Sequence, residues 1–231
     1  MAASKHQHGY VFYDHAVTLA LEDIALEGRL TVPEGATNIV IFAHGSGSSR
    51  FSPRNWYVAE TLHFHHIATL VIDLLSEEEA LSEQHTRHLR FDIQMLANRL
   101  AQIAHWVSHR DDTAKLSICF FGSSTGAAAA LVAAAETTEI ITSIVSRGGR
   151  PDLARDYLSL VTAPTLLIVG GCDTQVIALN EQALEKLNEH SKLQIIPGAT
   201  HLFEEKGTLE QVAHAAASWF KRHGGHTNAV S

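Results

Sequence analysis

The chain has 231 residues, 45% of them hydrophobic and 18% charged, which suits one large soluble domain with a full core. Its formal net charge of −8 argues against a general nucleic-acid binder, which needs a basic face. Two cysteines, Cys119 and Cys172, are too few for a disulfide framework and read as reduced, buried thiols of a cytoplasmic protein.

Residues 1–9 are polar and expected to be loose, as are residues 223–231. Met1–His15 holds no apolar signal core, and the longest nearly apolar run, Gly126–Ala135, is too short and Ala-rich to span a membrane. Alternation of apolar residues from His15 to Val32, interrupted by Glu22-Asp23, predicts an antiparallel hairpin. Asn38–Ala43 (NIVIFA) is continuously apolar, the mark of a strand buried on both faces. A Gly/Ser loop follows at His44-Gly45-Ser46-Gly47-Ser48-Ser49. A helix is expected over 54–66, a strand over 67–73, and an acidic, solvated helix start at 76–83. Leu89, Ile93, Leu96, Leu100, Ile103 and Val107 recur at helical spacing and predict one helix over 89–109.

Leu116–Phe121 reads as the next buried strand, and Thr125–Glu136 as a helix of small residues that can lie close to a sheet. Further strands are expected at 140–145, 164–169 and 192–196, with helices at 176–189 and 209–221 and a loop with a short helix over 146–160. Strand and helix therefore alternate from residue 38 onward. This pattern predicts a single α/β domain over 1–231, with a mostly parallel sheet of about eight strands and helices on both faces.

Sixteen histidines are scattered along the chain without an H-E-x-x-H pattern. The groups His63/His65/His66, His85/His88 and His105/His109 lack carboxylate or cysteine partners at ligand spacing, so no metal is expected.

The chemistry-bearing stretch is Gly122-Ser123-Ser124-Thr125-Gly126, a G-x-S-x-G run between a strand and a helix. A sharp turn there lifts Ser124 above the sheet edge, and the new helix aims its N–H groups at the serine oxygen. A serine nucleophile needs a base, and the base needs an acid to orient it. Asp173 follows 49 residues after Ser124 and His201 another 28 after that, each just beyond a predicted strand. The order Ser, Asp, His is that of the α/β-hydrolase elbow. Asp152 is the alternative acid. The oxyanion hole would take the backbone N–H of Thr125 and a second N–H from the Gly/Ser loop, at Ser46 or, next to it, Gly45.

These motifs, His44-Gly45-Ser46-Gly47, Gly122-x-Ser124-x-Gly126, the Gly-x-Asp173 strand end and Gly-Ala-Thr-His201, resemble the α/β-hydrolase superfamily over roughly residues 15–222. Small size and the absence of a lid domain make the chain most similar to the dienelactone hydrolase family. The resemblance implies the three-layer fold and hydrolysis. Familiar members carry a cysteine nucleophile, and Ser124 favours a general carboxylic-ester hydrolase here.

Fewer than 20 residues separate the strands at 140–145 and 164–169, which predicts an open, shallow site. Arg50, Arg54, Arg147 and Arg150 lie in loops that should rim it. They are either ion-paired surface residues or contacts for an anionic substrate, where the planar guanidinium suits a carboxylate or phosphate. The expected partner is a small ester, with neither nucleic acid nor membrane involved, and the protein a monomer or homodimer. No cofactor is needed. Thioester, lactone or small-peptide hydrolysis would use the same triad, and a non-catalytic ligand-binding protein of the same fold is the alternative of a different class.

Overall fold

A computed structural model describes residues 3–7, 10–21, 24–45 and 47–225. Strands β1 (Ala3–Gln7), β2 (Tyr10–Ala20) and β3 (Ala25–Pro33) form an antiparallel meander. The first nine residues thus supply a strand over 3–7 where looseness was expected, while residues 226–231 of the tail lie outside the described residues. Next come β4 (Asn38–Ala43), α1 (Pro53–Phe64), β5 (Ala68–Ile72), α2 (Glu77–Thr86) and α3 (Ile93–Ser108). Then follow β6 (Ser117–Ser123), α4 (Thr125–Glu136), β7 (Ile141–Arg147), β8 (Thr165–Gly170), α5 (Thr174–Leu184), β9 (Lys192–Ile196) and α6 (Thr208–His223).

The described strands make one nine-stranded sheet in the order β1-β2-β3-β5-β4-β6-β7-β8-β9, one strand more than expected. From β5 to β9 all pairs are parallel. The central strands β4 and β5 are buried at every position, as their unbroken apolar runs require. Two apolar layers cover the sheet. Residues of α3, α4 and α5 pack on one face, and residues of α1 and α6 on the other. The chain leaves β4 for β5 on one side and later returns to β6 on the other, so the crevice at the carboxyl ends of β4 and β6 is where an open α/β sheet places its ligand.

Three features here differ from the sequence expectation. The helical repeat from Leu89 breaks into a 3₁₀ turn at Leu89–Phe91 and α3, because Asp92 caps the new helix by accepting from Met95 N at 3.0 Å. Ser146 and Arg147 belong to β7 rather than to the loop after it. Cys119 is buried as expected, but Cys172 is exposed.

Candidate active site at the carboxyl ends of the strands

Ser124 sits between β6 and α4 with φ 50° and ψ −122°, a conformation that costs a non-glycine residue roughly 1–3 kcal/mol. The surrounding backbone holds it there. Its N–H donates to Arg147 O at 3.3 Å, and its carbonyl accepts from Ala127 N and Arg150 N, both at 3.1 Å. Glycine is required on both sides. A Cβ on Gly122 would lie 2.4 Å from Ala127 Cα, and one on Gly126 would lie 2.3 Å from Ala43 O. Helix α4 therefore packs directly on the ends of β4 and β6. Thr125 is its first residue, which gives the serine a helix N-terminus as neighbour.

Asp173 and His201 come from the turns after β8 and β9. His201 Nδ1 lies 2.6 Å from Asp173 Oδ2. Cys172 N donates to Ala199 O at 2.9 Å and Gly171 N to Ile196 O at 2.8 Å, so the two turns are tied together. On its other side the histidine turn is tied by Thr200, whose Oγ1 and N donate to the two Glu205 carboxylate oxygens at 2.6 and 3.1 Å. Phe203 adopts φ 56° to bury its ring under the same turn. A Cβ on Gly148 would meet His201 O at 3.2 Å and His201 Cε1 at 3.5 Å. The imidazole thus leans over the residue that follows β7, the strand beside the one carrying Ser124. Because Nδ1 faces Asp173, Nε2 is the nitrogen left for a second partner.

Asp152 is occupied elsewhere, with both oxygens accepting from Arg150 Nε and Nη2 at 2.8 Å. Ser46 lies outside the described residues. The loop that carries it is held at its base by His44. The Nε2 of that buried imidazole accepts from Leu74 N at 3.0 Å, so the ring is the Nδ1–H tautomer, whose Nδ1–H donates to Gly45 O at 3.2 Å. Burial pushes the His44 pKa down.

The four arginines separate into two kinds. Arg50 pairs with Asp73, which also accepts from Arg50 N at 2.6 Å, and Arg150 pairs with Asp152. Arg54 Nη1 reaches Glu204 at 3.1 Å, but its Nε is buried without a partner among the described residues. Arg147, only 8% exposed, has no ion pair among the described residues, and its Nη1 is buried without an acceptor.

Helix α2 and the 89–91 turn add a wall that sequence reasoning missed. Ser76 caps α2 in a reciprocal box with Glu79. Glu79 also accepts from Arg99 Nη1 at 2.8 Å and Nη2 at 2.7 Å, and Arg99 Nη1 donates to Leu74 O at 2.7 Å. Burial opposes ionisation of Glu79, but the Arg99 and Ser76 bonds outweigh it and hold the carboxyl below its ordinary range. The wall encloses a cavity of about 250 Å³ lined by His44, Gly45, Leu75, Ala80, Leu96 and Thr125, among others. The open, shallow site expected from the short β7–β8 connection is thus walled on its α2 side. The acidic run at 77–79 gave no sign of this, because only its first turn looked helical and its anchor, Arg99, lies on another helix.

Among the described residues no three His, Cys, Asp or Glu side chains converge as a metal site would need, and no helix is long and apolar enough to cross a membrane.

Sheet order, elbow and strand-end turns together define an α/β hydrolase. Residues 68–224 match the model of the Dienelactone hydrolase family, and the chain belongs to that family. A crystal structure of dienelactone hydrolase from Anabaena variabilis shares 55% identity and a TM-score of 0.90, covering 92% of this chain and 98% of that one. Est1E from Butyrivibrio proteoclasticus has the same fold at 19% identity, with a TM-score of 0.75 over 90% of this chain and 98% of that one. A curated Mycobacterium tuberculosis protein, named as a candidate phosphoribosyl transferase, is 52% identical over 210 residues. Those residues are 91% of this chain but 46% of that protein, so the chain spans about half the length of the curated relatives it matches.

Proposed function

We propose that the protein is a serine hydrolase of small carboxylic esters, with Ser124 as nucleophile, His201 as base and Asp173 as the acid that orients it. The observation that carries this reading is the 2.6 Å Asp173–His201 contact, set at the same strand-end edge of the sheet as the strained Ser124. His201 Nε2 takes the Ser124 proton as Oγ attacks the ester carbonyl. The N–H of Thr125 and a second N–H, assigned to Ser46, stabilise the tetrahedral oxyanion. Collapse breaks the ester bond, and His201 returns the proton to the leaving alkoxide. Water then gives a proton to His201 and attacks the acyl-enzyme. Collapse breaks the acyl–Ser124 Oγ bond, His201 returns the proton to Oγ, and the acid leaves. No step calls for a metal or organic cofactor.

Phosphoribosyl transfer, suggested by the name of the longer relatives, belongs in our reading to the length this chain does not cover. The dienelactone hydrolase at 55% identity accounts for nearly all of this chain.

The test is labelling by a fluorophosphonate together with turnover of p-nitrophenyl acetate. Both should occur in the wild type and vanish in Ser124→Ala with the fold intact. A folded wild-type protein that neither labels nor turns over would falsify the reading.

A further inference from the structure

Taking the hydrolase reading as its base, we propose that Arg147 and Arg54 form a subsite for a dianionic group, so that the natural ester carries a phosphate monoester.

Arg147 is the last residue of β7 and pairs in register with Ser123, next to the elbow. Its carbonyl accepts from Ser124 N, and the residue after it, Gly148, touches the His201 ring position. The side chain is therefore anchored one residue from both halves of the catalytic pair. It points to the α1 side of the sheet, where its guanidinium lies 5.9 Å from the centre of the Phe121 ring. A buried guanidinium normally finds a carboxylate, because an unpaired buried charge is expensive. Arg147 has none among the described residues, and Nη1 lacks even a neutral acceptor.

Arg54, at the start of α1, pairs with Glu204, the residue after Phe203, and the Phe203 ring lies 3.5 Å from a Cβ built on Gly148, the residue after Arg147, so both arginines border the His201 turn. The Arg147 pKa is pushed down to about 10, chiefly by burial and further by the Arg54 charge. Among the described residues Arg54 Nε is a second buried donor without an acceptor, and the carboxylate partner of Arg54, Glu204, is 63% exposed and weakly neutralising. Two adjacent cations with two orphaned donors are best satisfied by a ligand with two negative charges and several acceptor oxygens. A carboxylate would balance only one of them. The other two arginines of the rim are already occupied by Asp73 and Asp152.

The experiment uses inorganic phosphate as the probe and acetate at equal ionic strength as the monoanion. Inhibition of p-nitrophenyl acetate turnover and the shift in Tm are measured in the wild type, Arg147→Lys, Arg54→Gln and Arg150→Gln. Phosphate should inhibit competitively and raise Tm, and acetate should do neither. Arg147→Lys and Arg54→Gln should weaken phosphate binding by about ten- to hundredfold, as expected for lost charge-assisted hydrogen bonds. Arg150→Gln should bind it as the wild type does. Arg54 is partly exposed, so its variant reports even if Arg147→Lys folds poorly. Equal effects of phosphate and acetate, or undiminished phosphate binding in both variants, would overturn the subsite. If turnover and fluorophosphonate labelling fail in the wild type while the phosphate Tm shift persists, the hydrolase reading falls and the anion site stands.

Discussion

His201 Nδ1 and Asp173 Oδ2 stand 2.6 Å apart, on two turns that share the Cys172 N–H to Ala199 O bond. The pair is thus positioned by backbone, and in the proposed triad the carboxylate keeps the Nδ1–H tautomer. Asp173→Asn preserves the shape and reverses the donor. The expected loss in kcat is ~10⁴, with KM and Tm little changed. Asp152→Asn, by contrast, removes only the partner of Arg150 and should leave kcat near the wild-type value. Steady-state kinetics on p-nitrophenyl acetate decide between the two acids. A large loss in the Asp152 variant and a small one in the Asp173 variant would reverse the assignment.

The elbow gives a stability prediction. A methyl group on Gly126 would sit 2.3 Å from Ala43 O and 2.5 Å from His44 O, both backbone atoms that cannot swing away. Gly126→Ala must push α4 off the end of β4. Overpacking of this kind costs about 1–3 kcal/mol, and sometimes more. For a domain of this size that corresponds to a Tm lower by about 2–12 °C. The same shift moves Thr125 N and Ser124, so fluorophosphonate labelling should slow along with it. A variant with wild-type Tm and labelling would show that the close approach is not required.

Acid should destabilise the protein through buried histidines. Burial holds His63 down to about 4 against an ordinary 6.5, and it lowers His44 as well. Below 6.5 the unfolded chain takes up protons that the folded chain refuses. The contribution is therefore complete above pH 6.5, falls as the pH drops, and levels out once His63 itself titrates near 4. For His63 the full loss is ~3 kcal/mol at 1.36 kcal/mol per unit. Urea denaturation at pH 7.5 and 4.5 measures it. His63→Gln, which can keep a hydrogen bond to Thr69, should lose less stability between the two pH values than the wild type. Equal losses would remove His63 from the account.

The elements that set the fold and the elbow were legible because each depends on local pattern. Asn38–Ala43 is apolar without a break, Thr125–Glu136 is nearly all small, and Ser124, Asp173 and His201 each follow a strand. What stayed hidden depends on partners far along the chain. Nothing local distinguishes Arg147 from Arg50, yet one has no ion pair among the described residues and the other is paired across 23 residues with Asp73. The break before α3 was masked because Leu89 keeps helical spacing to Ile93 while Asp92 restarts the helix. The wall over the crevice was invisible for a similar reason. Helix α2 buries little of its own surface and is fastened by Arg99, 20 residues beyond Glu79.

That wall sets the last expectation. The cavity beside Thr125 holds about 250 Å³, and Leu75, Ala80 and Leu96 are its apolar lining. Its size admits a short acyl or alcohol group. Ala80 contributes one methyl to the lining from α2, so Ala80→Phe fills the space from the α2 side, away from the turns of Asp173 and His201. An acetyl ester should still fit at the proposed oxyanion hole, whereas a butyryl or hexanoyl ester should lose its place. A hydrophobic pocket distinguishes one methylene by ~1–3 kcal/mol. The kcat/KM ratio of p-nitrophenyl hexanoate to acetate should therefore fall by ~10–200-fold in Ala80→Phe. Arg99→Met, which releases Glu79 and lets α2 lift, should shift the ratio toward longer chains instead. A ratio unchanged in both variants would show that the acyl chain lies elsewhere, on the Arg147 side of Ser124.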